Sequence, residues 1–143
     1  MESIQSLAAF LCGAMDGTDD IESLFYSRIE RVLVVMNLQK DEWVLQVAKH
    51  YIERCFETYL TQENRTIIAI LELIPLTMMV ACKVYFDIPP FKNSFWAKQF
   101  PPLVHSSKSL LAVVNDRERH LWKVMDYQML IFTKNKSTLR TNS

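Results

Sequence analysis

The chain has 143 residues, 50 % of them hydrophobic, and 16 basic against 16 acidic side chains leave it with no formal net charge. That length suits one domain with a real core and little room for a second. The composition excludes an intrinsically disordered chain, and the neutral charge argues against broad electrostatic binding of nucleic acid.

Residues 1–20 form an N-terminal extension, with an apolar stretch from Leu7 to Leu11 followed by Asp16, Asp19 and Asp20. Both a packed extra helix and a loose segment are open for it. It is not read as a secretion signal, because Glu2 stands where a basic region belongs and no cleavage site follows. Ile21 to Met36 has helical period, with Asp19 or Asp20 as N-cap, and Asn37 to Lys40 breaks it. Val44, Val47, Ala48, Tyr51, Ile52, Cys55, Phe56 and Tyr59 then recur at i, i+3, i+4 spacing, an amphipathic helix.

Ile67 to Phe86 is nearly apolar all round, with Asn64 as N-cap and Pro75 predicting a kink. At about twenty residues it could pass for a membrane span. Glu72, Pro75 and Lys83 interrupt it, and the amphipathic neighbours need an apolar centre, so the central helix of a soluble bundle is expected. Pro89-Pro90 ends it. A short helix over Ser94–Gln99 is closed by Pro101-Pro102, and a last helix spans Ser107 to Tyr127, capped by Ser106 or Ser107. Thr133 to Ser143 reads as a mobile, basic tail. The glycines, Gly13 and Gly17, leave little material for hairpins, so five helices in an all-α bundle are expected.

Two charges break this pattern. Lys83 closes the apolar run from Leu76, and Glu118 interrupts the stripe Leu111, Val114, Leu121, Met125. A charge on a core-facing stripe is costly unless paired. Either the two pair internally, or they serve a partner. Glu72 is a poor rival partner for Lys83, since eleven residues of helix separate them by about 16 Å.

Catalytic patterns are missing from the sequence. There is no phosphate-binding glycine loop, no Cys-x-x-Cys or His-Glu-x-x-His zinc spacing and no nucleophile elbow, and His50, His105 and His120 are scattered. A helical enzyme assembled from distant residues would need a deep polar pocket around one of these histidines. Cys12, Cys55 and Cys82 read as buried reduced thiols of an intracellular protein. No enzyme activity, cofactor, metal or small-molecule substrate is expected.

Four segments in order resemble one family. Ile29-Glu30-Arg31-Val32 and Tyr51-Ile52-Glu53-Arg54 are similar to the first two helices of the cyclin box, with Glu53 where that family usually carries aspartate. Ala81-Cys82-Lys83-Val84-Tyr85-Phe86-Asp87 with Asn93-Ser94-Phe95-Trp96-Ala97-Lys98 resembles its centre. Val114-Asn115, Glu118 and Leu121 to Tyr127 resemble its last helix. The likeness is nearest to the P-type, phosphate-pathway-like cyclins, and it implies a single cyclin box over 21–132, a five-helix bundle around a central buried third helix. It further implies a regulatory subunit that binds a cyclin-dependent protein kinase around its C-helix and promotes the active conformation. Lys83 would be a donor and Glu118 an acceptor to kinase backbone groups. Arg31 and Glu53 would form a structural ion pair. Phe91, Phe95 and Trp96 read as core aromatics first, and their place after a proline break leaves them open as interface aromatics. A nuclear or cytoplasmic setting follows from the same likeness. The competing expectation is a cyclin-fold scaffold or adaptor that binds another protein without activating a kinase.

Overall fold

A computed structural model describes residues 3–87, 91–102 and 109–130. Among them are six α-helices, one 3-10 turn and no β-strand, so the domain is all-α. The helices are α1 (Ile4–Ala14), α2 (Asp19–Val35), α3 (Trp43–Thr58), α4 (Ile67–Tyr85), α5 (Asn93–Trp96) and α6 (Leu110–Val124), with the 3-10 turn at Ala97–Gln99. The Pro89-Pro90 stop, the cap at Ser106 or Ser107, His105 and the tail expected over Thr133–Ser143 lie outside the described residues.

The N-terminal segment is a helix of the core, which raises the count from the expected five to six. The Ser3 hydroxyl accepts from the Ser6 amide at 3.1 Å and caps α1. Leu7, Ala8, Leu11 and Cys12 recur on one face and are buried, mainly against α2. A stack of charges and rings holds the other side. Lys49 Nζ lies 5.0 Å from the Phe10 ring centre, Phe10 lies 6.0 Å from Phe56, and the Arg65 guanidinium sits 4.2 Å from Phe56. Arg65 also donates to the carbonyls of Leu60 and Ala14, at 2.9 and 3.0 Å, so one side chain ties the end of α1 to the α3–α4 connection.

Central position falls to α4, as its composition predicts. Every residue from Leu73 to Cys82 is buried. By length and composition it is the one helix among the described residues able to cross a membrane, and 67 % of that apolar window is covered by the rest of the bundle. The helix runs unbroken through Pro75. Proline removes the donor to the Leu71 carbonyl, while the Thr77 hydroxyl donates to the Leu73 carbonyl at 2.7 Å and so satisfies its own polar group inside the core. The caps differ from those expected. Thr18 precedes α2, with Asp19, Asp20 and Glu22 in the first turn near the positive end of the helix dipole. Thr66 and Ser109 cap α4 and α6 through their hydroxyls, displacing Asn64 and the serines at 106 and 107.

A chain this poor in glycine stops its helices with other residues. Asp16, Asn37 and Asp126 take positive φ of 51°, 57° and 53° just past α1, α2 and α6. At each end two amides turn back, for example Leu38 to the Leu33 carbonyl at 2.7 Å and Asn37 to the Val34 carbonyl at 3.1 Å. These are Schellman closures, with Asp and Asn in place of the usual glycine because their short polar side chains tolerate the left-handed region.

Candidate functional site

Lys83 lies in the last turn of α4 and Glu118 in the middle of α6. Val114 and Leu121 turn into the core from α6, and the Glu118 side faces the end of α4. Lys83 Nζ donates to both carboxylate oxygens, at 3.0 and 2.8 Å. The side chains are 29 % and 15 % exposed, so the pair sits at the rim of the bundle rather than on a buried stripe. Leu111, the stripe's first member, is exposed as well. A rim pair is partly solvated and escapes much of the desolvation penalty of a core charge.

Two asparagines complete the cluster. Asn93, the first residue of α5, donates through Nδ2 to Asn115 Oδ1 at 2.8 Å and to Glu118 Oε1 at 2.9 Å. One amide nitrogen therefore serves two acceptors spaced i, i+3 on α6. Its own Oδ1 is buried without a partner, the one such side-chain atom among the described residues. Reversing the amide would set that oxygen against two other oxygens, so the observed orientation is imposed by its neighbours. Neither asparagine was singled out from sequence as a site residue. The i, i+3 spacing of Asn115 and Glu118 was visible there; the arrival of Asn93 needed the turn between α4 and α6.

The same two helices help to wall an apolar pocket of about 590 Å³, lined by Val84, Trp122, Tyr127, Gln128, Met129 and Leu130. Val84 follows Lys83, and Trp122 is one turn beyond Glu118, so both helices bring a charge and an apolar neighbour to the same place. The far wall is made by the chain reversal after α6. Asp126 and Tyr127 both take positive φ, and the reversed segment is held where the Tyr51 hydroxyl donates to the Met129 carbonyl at 2.8 Å. Burial pushes the Tyr51 hydroxyl well above the usual tyrosine range, with Tyr85 adding to it, so it acts here as a donor only. Tyr127 and Leu130 are 64 % and 44 % exposed at the pocket mouth.

The ion pair expected between Arg31 and Glu53 is absent. Both side chains face solvent, and neither makes a hydrogen bond or ion pair among the described residues. The physical reason is helical phase. On α2 the buried face is Phe25, Ile29, Val32 and Leu33, and on α3 it runs through Tyr51, Ile52 and Cys55, which turns residues 31 and 53 outward. The arginines that reach across are Arg28, donating to the Gln99 carbonyl at 3.3 Å, and Arg54, donating to the Val124 carbonyl at 3.4 Å. Trp96 takes the core reading of its two. It is 1 % exposed and belongs to the core, not to an interface. Phe91, partly buried against the core, stacks with the exposed Phe95, ring centres 4.5 Å apart and planes 12° from parallel.

A second cleft, of about 460 Å³, lies between the end of α3, the start of α4 and α6. It is lined by Tyr59, Ile68, Leu73, Arg117 and His120, and Arg117 is held at its edge by Glu72 at 2.8 Å. His50 is exposed elsewhere on α3. Among the described residues no group of three or more histidine, cysteine or acidic side chains is placed to hold a metal. Cys12, Cys55 and Cys82 are buried free thiols, and burial pushes Cys55 and Cys82 up to about 11 and about 12.

No protein-family model, curated protein or solved structure matches the chain.

Proposed function

We propose that the chain is a regulatory subunit resembling a single-box cyclin, with α2 to α6 as the box around α4 and α1 as an added helix. In this reading it binds a cyclin-dependent protein kinase through the kinase's C-helix region and favours the kinase's active conformation, a population shift with this chain as the ligand. It is intracellular, carries no catalytic group or cofactor of its own, and contacts neither membrane nor nucleic acid.

The observation that carries the reading is that the two helices holding the Lys83–Glu118 pair also wall the apolar pocket, through Val84 and Trp122. Lys83 has three donors and Glu118 about four acceptor sites, so each keeps capacity after pairing with the other. Polar groups that fix orientation beside a pocket for one apolar side chain are what a helix-sized partner needs. The sequence segments that resemble cyclins supply the identity of that partner.

The test is co-elution of the full chain with a recombinant cyclin-dependent kinase, followed by phosphate transfer to a peptide substrate. Lys83→Ala and Glu118→Ala are expected to lose binding while keeping the helical fold. Unchanged binding in both would remove the site assignment. Binding without stimulated transfer would favour the scaffold or adaptor reading.

A further inference from the structure

Asn115 is the least conspicuous member of the cluster, and its hydrogen bonding is the most one-sided. Its Oδ1 accepts from Asn93 at 2.8 Å. Asn93 cannot turn, because its nitrogen is engaged by Asn115 and Glu118 together. The orientation of the Asn115 amide follows: the oxygen faces Asn93, so the NH₂ group is directed away from that contact. Among the described residues nothing accepts from it. Asn115 is half-buried, which makes two unused donors more consequential than on an open surface.

These donors are in register with the rest of the site. Asn115, Glu118 and Trp122 follow at i, i+3 and i+7 on one face of α6, a span of about 10 Å. Along it come two amide donors, then a carboxylate held by Lys83, then the apolar pocket.

The geometry points to Asn115 as a specificity-determining residue that donates to a main-chain carbonyl of the bound partner. The chemical class it selects is an uncommitted backbone carbonyl, of the kind that the last turn of a helix exposes. A partner presenting an N–H or a cationic side chain at that place is rejected, since donor would face donor. The inference rests on the kinase-binding reading and adds to it a residue that reads the partner without carrying charge.

Asn115→Asp separates this role from a purely structural one. The carboxylate still accepts from Asn93, so the internal bond is kept, while the outward face changes from two donors to an acceptor. Asn115→Leu removes the donors without adding charge. Binding of the full-length variants to a recombinant cyclin-dependent kinase is measured by titration calorimetry, with thermal melting as the fold control. Asn115→Asp is expected to keep the fold, with a melting temperature lowered by the new charge beside Glu118, and to bind about tenfold or more weakly; Asn115→Leu is expected to bind about threefold to tenfold more weakly. Unchanged binding by Asn115→Asp, alongside weakened binding by Lys83→Ala, overturns this inference and leaves the wider reading intact. Unchanged binding by both variants, or a wild-type chain that binds no such kinase, overturns the two together.

Discussion

Lys83 Nζ contacts both carboxylate oxygens of Glu118, at 3.0 and 2.8 Å, from the end of a helix that is otherwise almost wholly apolar. The two side chains depend on each other unequally. Glu118 is 15 % exposed, and without Lys83 it keeps a partly buried negative charge and the single donor Asn93. Lys83 is 29 % exposed and can turn to water. Lys83→Met is therefore expected to destabilise the fold by about 1–2 kcal/mol, and adding Glu118→Gln to recover part of that loss. Urea unfolding of the two single variants and the double measures the coupling. A double variant that is less stable than Lys83→Met would mean that the pair does not act as a unit.

The aromatic cluster after α4 divides sharply at one residue. Trp96 is 1 % exposed, and Trp96→Ala is expected to cost about 3–5 kcal/mol by opening a cavity. Phe95, its neighbour in sequence, is 37 % exposed, stacks on Phe91 and has Lys98 Nζ 5.5 Å from its ring centre. Phe95→Ala should cost less than about 1 kcal/mol. Chemical denaturation of the two variants distinguishes them, and equal losses would contradict the placement of Trp96.

The first helix is predicted to be indispensable. Leu7 and Leu11 are 1 % and 0 % exposed, and Arg65 anchors the Ala14 carbonyl from the opposite side. Leu11→Ala is expected to cost about 2–5 kcal/mol, and Arg65→Ala about 1–2 kcal/mol through lost bonds and the lost stack on Phe56. Denaturant midpoints with unchanged slopes would register both. A Leu11→Ala variant as stable as the parent would show that α1 is detached from the cooperative unit.

Much of this architecture was legible because helical period is a strong local signal. The run from Val44 to Tyr59 and the apolar stretch from Ile67 correspond to α3 and α4, with ends displaced by no more than one residue. The Lys83–Glu118 pairing was one of two readings open from sequence, since two lone charges on apolar stripes have few ways to avoid isolation. Phase was harder. Arg31 and Glu53 looked like partners by motif, yet each lies on the outer side of its helix, and Arg28 makes the crossing contact three residues earlier. Asn93 could not be placed, because its role depends on the turn between two helices rather than on any local period. Trp96 was ambiguous for a simpler reason: an aromatic beside proline has the same composition whether it faces the core or the solvent.

Alkaline pH should weaken the fold through its buried thiols. Burial raises Cys55 to about 11 and Cys82 to about 12, with Asp41 adding to the effect on Cys82. Both values lie above that of a free thiol, so between about pH 9 and 11 the unfolded chain has released protons that the folded chain retains. Stability is then fully present below about pH 8.5 and is lost as pH rises, by up to about 1.4 kcal/mol per pH unit for each thiol. Thermal melting from pH 7 to 10.5 should show a plateau followed by a fall. Cys82→Ala should lower the plateau and flatten the fall. An equally steep fall in that variant would assign it to other groups, with Tyr51 and Tyr59, both also raised by burial, the first to test.

Tyr127 joins the strain at the end of α6 to the proposed binding role. Its φ is 58°, next to Asp126 at 53°, and a bulky side chain in the left-handed region costs about 1–2 kcal/mol. Asp126 offsets part of its strain with a short polar side chain; Tyr127 has no such compensation and is 64 % exposed at the mouth of the pocket. Only its backbone amide has a structural task, donating to the Trp122 carbonyl at 2.9 Å, and glycine would perform it equally well. Tyr127→Gly is therefore expected to raise stability by up to about 1 kcal/mol, less what the freer unfolded chain takes back. The same variant should bind the kinase more weakly, because the ring forms one wall of the pocket. Melting temperature and binding affinity would move in opposite directions. A variant that is less stable and binds normally would show that the tyrosine is kept for packing, and that the pocket does not need its ring.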